Sequence, residues 1–174
     1  MPTSDAIKEK LERNVRAVTL RPSVGQGTAV TRVRLGADLR CDIEEGSWRL
    51  TAGMTEKYGG DGSAPNPGVL GRAALGSCLA IGYAMWASRL QVPITSLEVE
   101  IQADYDVRGE LGVSEDVRPG YGEIRYVVRV ESDASADDVT RVLDTADRRS
   151  SWLDIVGHAT PMRREVHITS SSPR

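Results

Sequence analysis

The chain has 174 residues, 40% of them hydrophobic and 27% charged, and a formal net charge of −3. This length and composition predict one globular domain over 1–174, and the slight acidic excess argues against nucleic acid as a partner because phosphate binding needs a dense basic surface. The charged N-terminus has no signal-peptide core, and the longest uncharged run, 73–88, is short for a membrane-spanning helix. We therefore expect a cytoplasmic protein with no membrane partner.

The first part of the chain predicts one helix and three strands. Residues 4–17 place apolar side chains four residues apart, as an amphipathic helix does. Residues 28–35 alternate β-branched and polar side chains, which is typical of a half-buried strand. Residues 39–52 predict two short strands that turn near Gly46, and 53–67 form a predicted loop rich in Gly and Pro.

The second part predicts two longer helices and three strands. They are a helix over 68–90, strands over 96–109 and 121–132, a helix over 135–150, a short segment over 151–156 and a closing strand over 162–169. Strands and helices are grouped and do not alternate regularly, so the predicted fold class is α+β.

The long helix contains one cysteine, Cys78, in a run rich in Gly and Ala. Because small residues let neighbouring backbones approach closely, we expect this helix to be enclosed by other elements or by a second subunit. A free cysteine usually behaves as a small buried hydrophobe, and a reactive thiolate needs a cation, a helix N-terminus or partial exposure. The residues alone leave both an inert and a reactive Cys78 open.

A Gly-Gly loop at 59–60, a Pro-x-Pro entry at 65–67 and a helix reading A-A-L-G-x-C that reaches Cys78 stand in this order. Together they resemble the signature of the OsmC/Ohr family, the osmotically inducible and organic hydroperoxide resistance proteins. The resemblance covers about residues 28–169, and residues 1–17 form an extra N-terminal helix. That helix caps a partner subunit in one interpretation and is a simple surface helix in the other.

The resemblance implies an OsmC-like fold, in which antiparallel sheets surround a long buried central helix and two chains form an intertwined homodimer. It also implies that Cys78 is the peroxidatic cysteine, whose thiolate attacks the O–O bond of an organic hydroperoxide and becomes a sulfenic acid. In the family an arginine from the N-terminal strands accompanies this thiolate. Arg34 is our candidate for that arginine, with Arg32 as the other choice.

Two positions depart from the family pattern. Ser150, or Ser151, stands where the cysteine that resolves the sulfenic acid is expected. Gly68 stands where the family carries a glutamate that helps to position the arginine. A sulfenic acid at Cys78 would then be reduced by an external thiol, unless Cys41 replaces the resolving cysteine.

We therefore expect a thiol-dependent, peroxiredoxin-like reductase of organic hydroperoxides that acts in the oxidative stress response and needs no cofactor or metal. The alternative is a non-peroxidase OsmC-like protein that binds another apolar small molecule in an interface pocket and has an inert Cys78. The two histidines and two cysteines have no recognised metal spacing. A Ser150–His158–Asp154 triad can be drawn from the sequence, but no nucleophile-elbow motif supports it.

Overall fold

The computed structural model describes residues 4–169 and combines helices with two small antiparallel sheets, as expected for an α+β fold. The α-helices and the strands, in chain order, are α1 (Ser4–Leu20), β1 (Arg32–Leu35), β2 (Cys41–Glu45), β3 (Trp48–Ala52), α2 (Pro67–Leu90), β4 (Ser96–Asp104), α3 (Val107–Glu110), β5 (Glu123–Glu131), α4 (Ala136–Asp147) and α5 (Ser151–Gly157). One sheet has the order β1-β2-β3, and the other is the pair β4-β5.

The bounds of α2 follow from local chemistry. The side chain of Asn66 accepts a hydrogen bond from the Val69 N–H at 3.0 Å, and Pro67 occupies the first turn, where a missing N–H costs nothing. The helix stops after Leu90, because the next residue, Gln91, has a left-handed backbone with φ 57° and Pro93 follows shortly after it. These signals are local, and the predicted helix over 68–90 is confirmed.

One stripe of α2 forms the core against β4, β5 and α4. Leu75, Leu79 and Tyr83 lie on this stripe and are at most 3% exposed. The Tyr83 hydroxyl donates to a carboxylate oxygen of Asp147 at 2.7 Å, which fixes α4 against α2. Burial and this carboxylate hold the pKa of Tyr83 well above its ordinary value, so the hydroxyl remains a donor.

The opposite face of α2 is uncovered within the single chain. Ile81 and Met85 are 60% and 37% exposed. Among residues 4–169 no element packs over this face, so enclosure of the helix by a second subunit stays a prediction. By length and hydropathy α2 also resembles a membrane-spanning helix, a test that the core helices of many proteins pass.

The first sheet also presents an uncovered apolar face. The strand register places Val33 opposite Ile43 and Ile43 opposite Leu50, so these side chains share one side of the sheet. Large apolar residues of this face are 57% to 73% exposed: Val33, Leu35, Trp48 and Leu50. The other side carries charged residues, which include Arg34 and Glu44.

The predicted closing strand over 162–169 is wrong for the single chain. These residues are exposed and belong to no strand, because no strand in the described chain pairs with their backbone. Two other predicted strands are shorter than expected, since β1 begins at Arg32 and β4 ends at Asp104. The segment over 151–156 forms the helix α5.

Candidate functional site

Cys78 lies on α2 at the edge of the buried stripe and is partly exposed. Its side chain meets the start of α5. The Cys78 Sγ atom is 3.6 Å from Ser150 Oγ and 3.7 Å from Ser151 Oγ, both within hydrogen-bonding range for sulfur. The thiol therefore has polar neighbours on the side where a core cysteine would meet hydrocarbon.

The turn between α4 and α5 positions Ser150. Its N–H bonds to the Asp147 carbonyl at 3.1 Å, and its Oγ atom accepts the Leu153 N–H at 3.3 Å as the N-cap of α5. Ser150 is only 8% exposed. Because Oγ uses a lone pair for the cap, its proton remains available for donation to the sulfur of Cys78.

These donors determine the ionisation of the thiol. Burial raises the pKa of Cys78, but hydrogen bonds from the Ser150 hydroxyl, from the Trp152 N–H, and from the hydroxyl and N–H of Ser151 lower it. The net result is a Cys78 pKa below its ordinary value. Hydrogen bonds to the charged form favour that form, so the start of α5 stabilises the thiolate.

A cavity of about 520 Å³ opens beside Cys78. Its walls are mainly apolar and include Ile81, Met85, Trp86 and Trp152. This volume lies in the range of small-molecule sites, and the apolar walls favour the organic part of a ligand over water.

Arg149 also lines this cavity, and reasoning from the sequence did not select it. Its guanidinium lies 4.9 Å from the ring centroid of Trp86, and the guanidinium of Arg89 lies at the same distance. Arg89 forms an ion pair with Glu12 of α1 at 2.8 Å. The extra N-terminal helix thus packs on α2 of its own chain and is linked to the cavity wall through Trp86.

The arginine that the sequence predicted beside the thiol, Arg34, and the second cysteine, Cys41, lie elsewhere in the single chain. Arg34 is on β1, pairs with Glu44 at 3.4 Å and lines a different cavity from Cys78. Cys41 is on β2, opposite Leu35 and Ala52, and both cysteines are free thiols. The structure therefore brings Cys78 and Ser150 together and brings neither Arg34 nor Cys41 to them.

The structure gives little support to a contact between Gly68 and Cys78, to the Ser150–His158–Asp154 triad or to a metal site. Gly68 lies ten residues before Cys78 on α2, about 15 Å along the axis at 1.5 Å per residue. His158 contacts Asp154 at 3.2 Å, but Ser150 Oγ bonds to Cys78 and Leu153, so the three side chains form no relay. No group of three His, Cys, Asp or Glu side chains within 4–169 is arranged to hold a metal ion.

Several solved structures have the same fold. An OsmC-like protein from Mycoplasma pneumoniae aligns with a TM-score of 0.66 at 14% identity, over 76% of this chain and 89% of that one. An OsmC-like hydroperoxide resistance protein from Jannaschia sp. aligns with a TM-score of 0.52 at 18% identity, over 82% and 93%. An organic hydroperoxide resistance protein from Legionella pneumophila aligns with a TM-score of 0.53 at 13% identity, over 75% and 89%.

The sequence comparisons identify the family. No protein of curated function matches the sequence. The family model described as "OsmC-like protein" matches residues 60–165, which is more than half of the chain and includes Cys78 and Ser150. The match and the shared fold confirm the resemblance seen in the sequence, and the chain belongs to the OsmC family.

Proposed function

We propose that this protein reduces organic hydroperoxides through Cys78 and uses an external thiol as reductant. The observation that carries the proposal is the set of donors from Ser150, Ser151 and Trp152 around the Cys78 sulfur, beside an open apolar cavity. A thiolate is the nucleophilic form of cysteine, and the cavity offers space for the organic part of a peroxide. The names of the hydroperoxide resistance proteins from Jannaschia and Legionella support the same role.

The first step is a two-electron oxidation of the cysteine. The Cys78 thiolate attacks the terminal oxygen of the peroxide, so that an S–O bond forms and the O–O bond breaks. The alkoxide leaves and takes a proton from water, which gives an alcohol. Cys78 remains as a sulfenic acid, in contact with hydroxyls that cannot form a disulfide with it.

The second step needs a thiol from outside the chain. A first thiol condenses with the sulfenic acid, releases water and forms a mixed disulfide with Cys78. A second thiol then attacks that disulfide, which returns Cys78 to its reduced form and releases an oxidised disulfide. A cytoplasmic location and a role in the oxidative stress response fit this need for free thiols.

The alternative function is the binding of a small molecule by a protein whose Cys78 is inert. Two observations favour it: a serine occupies the resolving position, and Arg34 lines a different cavity in the single chain. Both functions use the same apolar cavity. They differ in whether the protein consumes peroxide.

We also infer that two copies of the chain associate through the uncovered face of α2. This face carries no charge between Arg72 and Arg89, and its small residues, such as Ala73 and Ser77, permit close approach. Contiguous exposed apolar surfaces on proteins commonly mark an interface with another molecule. A second copy would cover Ile81, and the apolar face of the first sheet is a further candidate for burial.

The peroxide assay tests the main proposal. With dithiothreitol as reductant, the wild-type protein should consume cumene hydroperoxide faster than hydrogen peroxide, because the cavity walls are apolar. Cys78→Ser should reduce consumption to the uncatalysed rate, whereas Cys41→Ser, the matched control, should retain activity. Peroxide consumption that is absent in the wild type, or unchanged in Cys78→Ser, would support the binding function.

A second prediction concerns the position of Ser150. Ser150→Cys should form a disulfide with Cys78 after one equivalent of cumene hydroperoxide, because the two side-chain atoms are already 3.6 Å apart. Mass spectrometry should then show the loss of two hydrogens, while Ser150→Ala should show a sulfenic acid adduct after trapping. A trapped sulfenic acid with no disulfide in Ser150→Cys would contradict the geometry of this contact.

The third prediction concerns the oligomeric state. The wild-type protein should be a dimer by light scattering, and Ile81→Lys should be mostly monomeric because it places a charge in the centre of the uncovered α2 face. Val113→Lys is the matched control, since Val113 is 69% exposed and lies outside α2, after α3. A wild-type monomer, or an Ile81→Lys dimer of unchanged affinity, would refute the association.

A further inference from the structure

A second cavity, of about 480 Å³, lies at the N-terminal end of α2. Its lining includes Gly68, Arg72 and Tyr121, but not Cys78, so within one chain it is separate from the thiol cavity. Arg72 is its only cationic lining residue and Glu110 its only acidic one. Nothing in the proposed peroxide chemistry uses these groups.

Arg72 has hydrogen-bonding capacity to spare. One of its terminal nitrogens donates to the Tyr121 hydroxyl at 2.6 Å, and that hydroxyl donates to the Gly68 carbonyl at 3.4 Å. No carboxylate among residues 4–169 forms an ion pair with the Arg72 guanidinium. A guanidinium has five N–H donors in a planar fork, and this geometry matches a carboxylate.

Gly68 lies in a close-packed polar corner beside Arg72. A Cβ atom at this position would lie 3.2 Å from a terminal nitrogen of Arg72, and also 3.2 Å from Asn66 Oδ1 and from the Tyr121 hydroxyl. Any side chain here would therefore enter the polar corner of the cavity. A substitution at Gly68 therefore changes the surroundings of the Arg72 guanidinium.

The remainder of the cavity is suited to an aromatic group. Tyr58, Tyr105 and Tyr121 all line it, together with the apolar side chains of Met54 and Leu111. Aromatic rings pack well against one another in offset or edge-to-face arrangements. The volume is in the range of small-molecule sites and is ample for a bicyclic ring system.

We propose that this cavity binds a small aromatic carboxylate. The carboxylate accepts hydrogen bonds from the free N–H groups of Arg72, and the ring lies among the tyrosines. The ligand undergoes no reaction.

The test is calorimetric titration of the full chain with 2-naphthoate and with its neutral analogue 2-naphthylmethanol. The wild type should bind the acid at least about tenfold more tightly than the alcohol, because only the acid forms charge-assisted bonds with the guanidinium. Arg72→Met should remove this preference. Arg149→Met, a matched change in the other cavity, should leave binding unchanged, as should Cys78→Ser.

Gly68→Glu gives an independent test of the same corner. A glutamate is well tolerated in the first turn of a helix, so the fold should persist, and its carboxylate should occupy the space against Arg72 and prevent naphthoate binding. If Arg72→Met does not fold by circular dichroism, Arg72→Gln replaces it and should likewise remove the preference, because it has no charge to pair with the acid. No binding of naphthoate at about 10 mM, equal affinity for acid and alcohol, or unchanged binding in Gly68→Glu would each overturn the proposal.

Discussion

The contact between the Cys78 sulfur and the first turn of α5 is the interaction on which the proposed peroxide chemistry depends. Ser150 caps α5 and donates to the sulfur at the same time, so the fold of the turn and the ionisation of the thiol are coupled. An ordinary cysteine with a pKa of about 8.5 is only about 3% thiolate at pH 7, so a lowered pKa can raise the reactive fraction by at most about 30-fold. In the proposed reaction, any larger acceleration would require interactions of the peroxide with the cavity.

The packing of α2 gives Cys78 its intermediate exposure. Leu75 and Leu79 lie on the buried stripe, and Ile81 lies on the uncovered face, with Cys78 between these two sides. A thiol within the stripe would be desolvated without donors, which would raise its pKa. A thiol on the open face would have no contact with α5. The register of the helix thus places the sulfur where donors and a cavity meet.

The sequence predicted the features that local chemistry determines. Pro67 and Pro93 were enough to place α2, and the family pattern selected Cys78 and the serine beside it. The closing strand over 162–169 was not predictable in the same way, because a strand exists only where another strand pairs with it. Burial of a helix also depends on elements far away in the chain or on another copy.

Two features of the proposed sites had no clear sequence signal. Arg149 reaches the thiol cavity only because the turn after α4 directs it toward Trp86, and its position beside Ser150 was the single available hint. The corner formed by Gly68, Arg72 and Tyr121 joins residues 49 positions apart, so only the folded structure reveals it. In the sequence Gly68 marks the loss of a family glutamate, whereas in the structure it lies close to the Arg72 guanidinium.

The pKa of Cys78 tests the central claim most directly. In a Cys41→Ser background, the rate of alkylation by iodoacetamide should follow a titration whose midpoint lies below the ordinary cysteine pKa of about 8.5. Ser150→Ala should move that midpoint upward, because a donor to the thiolate is lost. A midpoint at or above 8.5 in the wild type, or one that does not move in Ser150→Ala, would contradict a thiolate stabilised by the start of α5.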